Sequence, residues 1–215
     1  MADPSPLDDV RRAYDAVAED YAELLRDELG GKPLDRALLG AFAERVAATG
    51  DVRVIDAGCG PGRIAGHLRR LGLDVSGVDL SPGMVAIARR TYPDVDFAVG
   101  SLGALETGDA SSGGVLAWYS IIHTETDGLA AVFEEFARVV VPGGWVLLAF
   151  QIGGERVRLV RPYGHDVELD AIRHDVDVVE SALGAAGFTV ESRTVREPAP
   201  PERVRQAYVF AQRAW

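Results

Sequence analysis

The run Val54-Ile55-Asp56-Ala57-Gly58-Cys59-Gly60-Pro61-Gly62 constrains this chain more than any other segment. An apolar stretch ends in an acid, and three glycines follow at alternate positions. Glycine there lets bare backbone approach a ligand closely. A second apolar strand, Val75 to Asp79, also ends in a carboxylate. Laid side by side, the two strands put Asp79 at the tip beside the glycine turn. That arrangement predicts a nucleoside-containing cofactor, and therefore an enzyme.

Periodicity extends the pattern along the chain. Apolar positions at helical spacing run from Asp8 to Ala48 and are broken by Gly30-Gly31-Lys32-Pro33 into two helices. Alternation then predicts strands at Val52 to Ala57, Val75 to Asp79, Val95 to Val99, Val115 to Ser120 and Trp145 to Phe150. Helices are predicted over Arg63 to Leu71, Ser81 to Tyr92 and Leu129 to Val140, with Ser81 as N-cap and Pro82 opening its helix. Ser101 to Gly114 has room only for a turn or small helix. Gln151 to Asp170 reads as irregular. A helix over Asp175 to Ala186 and strand-like runs at Phe188 to Val195 and Ala207 to Gln212 close the chain. Strands alternating with helices imply an α/β fold, a doubly wound and mostly parallel sheet covered on both faces in three layers. One domain is expected throughout, comprising a helical cap over 1–48, a cofactor-binding core over 50–150, an acceptor cover over 151–175 and a closing helix and strands over 176–215.

Charge narrows the partners. Asp and Glu number 33 against 22 Lys and Arg, a net charge of -11. Such a surface repels phosphate backbones and anionic membranes, so neither nucleic acid nor membrane is an expected partner. The lone cysteine excludes an internal disulfide and suits a reducing compartment. With no signal-like or spanning apolar run, a cytoplasmic protein is expected.

The glycine spacing discriminates between cofactors. Gly58, Gly60 and Gly62 give GxGxG, and Arg63 stands where a dinucleotide fingerprint has its last glycine. Asp56 before the turn would oppose a diphosphate and suits a ligand carrying an amino group or positive charge. Asp79 can accept both ribose hydroxyls; its competing role as a helix cap is already filled by Ser81. Cys59 is either a packing residue or a nucleophile, with packing favoured.

On VIDAGCGPG at 54–62, GVDLS at 77–81 with Met84, LAWYSIIH at 116–123 and RVVVPGGWVLLAF at 138–150, the chain resembles the class I S-adenosylmethionine-dependent methyltransferases over nearly its whole length. The resemblance implies a Rossmann-like sheet of seven strands with the last reversed, and S-adenosyl-L-methionine as cofactor. By the same resemblance Gly58 and Gly60 lie against the methionine and ribose portions and Asp79 holds the ribose. Leu80 and Met84 sandwich the adenine, and Gly100, Ser101 and Leu102 meet its edge. Trp118 and Tyr119 also join the cofactor site. Ser101 departs from the acid often found at its position. Tyr14 and Tyr21 match tyrosines that fold over the cofactor, although helix packing explains each equally well.

Methyl transfer needs alignment of the acceptor and exclusion of water, and a hydroxyl acceptor also needs a base. His123, after the fourth strand, is the base candidate and an acceptor contact; shaping the pocket or bonding a loop is its alternative role. Gln151, Tyr163 and His165 are further acceptor candidates in the cover. Arg156, Arg158 and Arg161 either attract an acidic acceptor or form a solvated strand face. No acid cluster suggests a metal, and a short cover favours a small-molecule acceptor, methylated on oxygen in slight preference to nitrogen. The rivals are a protein of this fold that binds the cofactor without methylating, such as a cyclase or regulator, and a nicotinamide-dependent oxidoreductase. The GxGxG spacing argues against the second.

Overall fold

A computed structural model describes residues 6–215; the first five residues of the expected 1–48 cap lie outside them. Helix α1 (Pro6–Leu25) and a short 3-10 turn (Glu28–Gly31) lead into α2 (Pro33–Ala48). Strand β1 (Arg53–Ala57), α3 (Arg63–Arg70), β2 (Asp74–Asp79), α4 (Pro82–Thr91) and β3 (Asp96–Val99) follow in alternation. Strand β4 (Ser112–Trp118), α5 (Leu129–Val139) and β5 (Val140–Gln151) continue it. The chain then forms β6 (Arg156–Val160), β7 (Glu168–Ile172), α6 (Val176–Ala185), β8 (Phe188–Arg196) and β9 (Gln206–Arg213).

Seven strands form one sheet in the order β3-β2-β1-β4-β5-β9-β8. All pairs are parallel except those of β9, which runs against both β5 and β8. The reversal of strand order lies between β1 and β4, so a crevice opens at their carboxyl ends. Side-chain alternation sends Val54 and Leu147 to one face, against Leu39, Phe42, Ile64 and Leu68 of α2 and α3. Ile55 and Leu148 go to the other face, against Phe133 and Phe136 of α5 and Val179 and Leu183 of α6. No described helix is long and apolar enough to cross a membrane.

Three expectations are corrected. Strand β4 starts at Ser112 rather than Val115, and β5 starts at Val140, passing through Pro142-Gly143-Gly144. A bulge absorbs the mismatch, with Ser112 opposite Val140 and Gly114 already opposite Trp145. The glycines belong to these strands because the chains crowd there: a Cβ on Gly113 would lie 1.9 Å from the Asp51 carbonyl oxygen. Gly113→Ala is therefore expected to cost about 3 kcal/mol, lowering Tm by roughly 6–12 °C. A melt within 2 °C of wild type would contradict this.

The third correction concerns the cover, which is an antiparallel hairpin of β6 and β7, separate from the main sheet, and not an irregular loop. Leu159 faces Leu169, and Arg158 pairs with Glu168 and Asp170 across the strands. The hairpin is closed at its neck, where the Gly153 N–H donates to the His174 carbonyl and the His174 N–H to the Gln151 carbonyl, both at 3.1 Å.

Candidate active site

The glycine turn leaves β1 in a left-handed conformation, with φ of +79° at Gly58 and +53° at Gly60. Its position is fixed from β2. The Gly58 and Cys59 N–H groups donate to the Val78 carbonyl at 2.7 and 3.0 Å. At the end of β2 the Asp79 carboxylate accepts from the Gly60 N–H at 2.8 Å and from the Ser81 N–H at 2.9 Å. Burial pushes the Asp79 carboxyl up, and these two donors pull it back down. A Cβ on Gly58 would stand 2.2 Å from Ser120 Cβ, whereas one on Gly60 would meet only Tyr21, at 3.9 Å. The first glycine is thus packed against the β4 exit, and the second presents bare backbone to open space.

Ser81 caps α4 by accepting from the Met84 N–H at 3.0 Å. Its hydroxyl donates to Asp15 Oδ1 at 2.6 Å, and the Gly83 N–H donates to the same oxygen at 2.9 Å. Asp15 thereby fastens α1 to the positive end of α4. This holds Tyr14 and Tyr21 over the crevice, their rings meeting edge to face at 5.9 Å.

Beyond β4, Tyr119 sits at φ +59°, and its hydroxyl lies 3.3 Å from that of buried Tyr208. His123 follows in a short 3-10 turn, Ile121–His123. Its Nδ1 lies 2.9 Å from the Asp170 carbonyl of β7, which can only accept, so Nδ1 carries the proton. Nε2 is then the free lone pair, and it accepts from the Tyr14 hydroxyl at 2.8 Å. Burial lowers the His123 pKa and raises that of Tyr14, which keeps both groups neutral.

These elements enclose a cavity of about 450 Å³. Tyr14, Tyr21, Gly58, Gly60, Asp79, Leu80 and Met84 line it, as do Gly100, Ser101, Leu102, Trp118, Tyr119 and His123. Sequence reasoning did not single out Val10, Ser120, Glu125 or Val132 on the same wall, or the supporting Asp15. Their contacts join segments far apart in the chain, so no local signal marks them. A second cavity of about 610 Å³ runs between α1 and the hairpin and shares Val10, His123 and Glu125 with the first. His123 stands where the two meet.

Four residues assigned from the sequence lie off the cavity wall. Asp56 follows the alternation of β1 onto the face of Val54 and is buried beneath the turn, 1% exposed. Gln151 ends β5 opposite Gln206. Tyr163, at the hairpin tip, packs its ring edge-on against Tyr21 at 5.1 Å, one layer outside the cavity. His165 pairs with Asp20 of α1 at 2.5 Å on the surface. The cover touches the N-terminal helix here, so these side chains are spent on that contact. Arg156 and Arg158 are exposed and paired with Glu125, Glu168 and Asp170, as a solvated strand face requires. Cys59 is buried with its thiol pushed up by burial, a packing residue. No group of metal-ligating side chains occurs among the described residues.

The wall chemistry can be tested against a nucleoside cofactor. A carboxylate fixed at the tip of β2 suits a diol, aromatic and aliphatic rings suit a base, and bare glycine backbone allows close approach. Among the described residues no arginine or lysine lines the cavity, so they offer no cation to a diphosphate. The residues fit a sulfonium nucleoside.

Residues 54–144 match the family model described as a methyltransferase domain. The chain is 34% identical over 138 residues to the demethylmenaquinone methyltransferase of Chlorobaculum parvum, covering 63% of this chain and 56% of that protein. It is 34% identical over 117 residues to the malonyl-[acyl-carrier protein] O-methyltransferase of Enterobacter lignolyticus, covering 54% and 45%. The chain thus spans about half the length of the curated relatives it matches. Its fold superposes on the magnesium protoporphyrin IX methyltransferase of Synechocystis PCC 6803 with a TM-score of 0.73 at 18% identity, covering 100% of each chain.

Proposed function

We propose that this chain, a class I S-adenosylmethionine-dependent methyltransferase by its residues 54–144 and its sheet, methylates an oxygen of a small-molecule acceptor. The observation that carries the reading is the meeting of two cavities at His123, one walled by the glycine turn and Asp79, the other by α1 and the hairpin. A cytoplasmic setting belongs to the same reading and rests on the acidic composition and lone cysteine.

In this reading Asp79 holds the ribose diol, Gly60 gives its bare backbone to the methionine portion, and Leu80, Met84, Ser101 and Leu102 take the adenine. When bound, the cofactor supplies an electrophilic methyl group on a sulfonium. Tyr14 and Tyr21 cover the site and keep water out. The acceptor approaches through the groove beneath residues 151–175, the assigned cover, and presents its hydroxyl beside Tyr14. Its proton passes to Tyr14 Oη as the Tyr14 proton passes to His123 Nε2, and the Asp170 carbonyl steadies the imidazolium through Nδ1–H. Proton and charge balance, since the acceptor oxygen becomes an anion and His123 a cation. The carrier-protein relative makes a carrier-bound acid a second acceptor class worth assaying.

The direct test is calorimetry with S-adenosylmethionine and its demethylated product. Micromolar binding of both is expected, followed by transfer of labelled methyl to hydroxylated compounds in a screen. An absence of binding at millimolar ligand would overturn the proposal.

A further inference from the structure

One buried carboxyl takes no part in this chemistry. Asp56 is 1% exposed, and neither carboxylate oxygen has a hydrogen-bond partner among the described residues. A carboxylate so placed is costly unless it is neutral or meets a cation. Its strand neighbours offer nothing, since Gly77 of β2 and Leu116 of β4 flank it in register. The groups that face it are Arg63 and the Ala65 N–H of α3, Asp79 at the end of β2 and the Cys59 thiol in the turn. Arg63 makes no hydrogen bond to it, giving Nη2 to Glu28 at 2.8 Å while its Nη1 stays unpartnered among the described residues. The Ala65 N–H approaches without reaching hydrogen-bond geometry. Two residues further on, Gly58 forms the cavity wall.

We infer that Asp56 is a charge sensor beneath the glycine turn: it keeps its proton in the free protein and gives it up when a cation binds above it, so that the site prefers a sulfonium to the neutral thioether left after transfer. The inference rests on the proposed cofactor. Burial, with Asp79 nearby, pushes the Asp56 carboxyl up to about 7 despite Arg63. A unit positive charge about 7 Å from such a group favours its ionisation roughly fiftyfold at an effective dielectric of about 20. S-adenosylmethionine carries one more positive charge than its demethylated product, so the donor draws the proton off more strongly than the product; the α-ammonium is common to both. Above neutral pH the carboxylate is already formed and the preference is already in place.

The test is calorimetry of wild type and Asp56→Asn, run in buffers of different ionisation heat. With S-adenosylmethionine the wild type is expected to release about 0.7 proton more than the variant at pH 6, and about 0.1 more at pH 8. Its affinity relative to the variant rises about tenfold over that range. The ligand's own amino group is common to both proteins and cancels in the difference. With the demethylated product the difference is expected to be clearly smaller than with S-adenosylmethionine at pH 6. Equal proton counts for the two proteins, or for the two ligands, overturn the inference and leave the proposed function standing. If neither compound binds, both fall together. A ligand-free melt checks the resting state: a carboxyl with raised pKa stabilises below pH 4 and loses that contribution up to about pH 7. The wild-type Tm should therefore fall relative to Asp56→Asn between pH 5 and pH 8, and a constant difference overturns the neutral resting state.

Discussion

Asp79→Ala is expected to lower the affinity for S-adenosylmethionine at least a hundredfold. The carboxylate does two things at once in this structure. It accepts from Gly60 and Ser81, tying the glycine turn to the start of α4, and it keeps lone pairs for the cavity. Each hydrogen bond to a charged group contributes about 1.5–3 kcal/mol, so losing two to a ribose removes about 3–6 kcal/mol, or two to four orders of magnitude. Asp79→Asn should lose nearly as much. Its amide can accept at only one atom, and its NH₂ then faces either the Gly60 or the Ser81 N–H. The decisive measurement is calorimetry on variants with wild-type circular dichroism. A dissociation constant within threefold of wild type for Asp79→Ala would remove this residue from the cofactor site.

The second large effect is expected on turnover. His123→Ala should reduce kcat by about 10²–10⁴ while leaving cofactor affinity within a few-fold, because general base catalysis commonly contributes that much. Tyr14→Phe removes the hydroxyl that joins the acceptor to Nε2 and should give a loss of the same order. The pH profile supplies a separate check. Burial lowers the His123 pKa below its ordinary 6.5, so the neutral base persists to lower pH than that of a free imidazole. The acid limb of kcat is therefore expected below pH 6.5, and a limb above 7 would contradict the assignment. Unchanged turnover in His123→Ala would remove the proton path altogether.

Most of the cavity wall was legible because its chemistry is local. A left-handed turn needs glycine, an N-cap needs Ser81, and a strand tip brings Asp79 beside both within 28 residues of chain. Asp56 was legible as a residue type but its direction was not: alternation along β1 sends it under α3 with Val54, off the cavity wall. The hairpin was hidden for a different reason. Its strands do alternate, with Val157 and Leu159 beside arginines and Leu169 and Ala171 beside acids, but each is only five residues long and the glycines and proline around them read as loop. Asp15 could not be read at all, because its partner is 66 residues away and nothing in α1 announces a cap for another helix.

The neck of the hairpin has a practical consequence. Its two ends meet at Gln151, Gly153 and His174, so the stretch between them leaves and rejoins the frame at a single point, like an exchangeable cassette. Grafting another cover there would disturb neither layer of the main core. The cassette nevertheless carries the Asp170 carbonyl that sets the proton on His123. Under the proposed function, recognition of the acceptor and readiness of the base are written on one removable piece of chain. A transplanted cover is therefore expected to alter both the acceptor and the rate of the proposed reaction, unless its backbone offers His123 the same carbonyl.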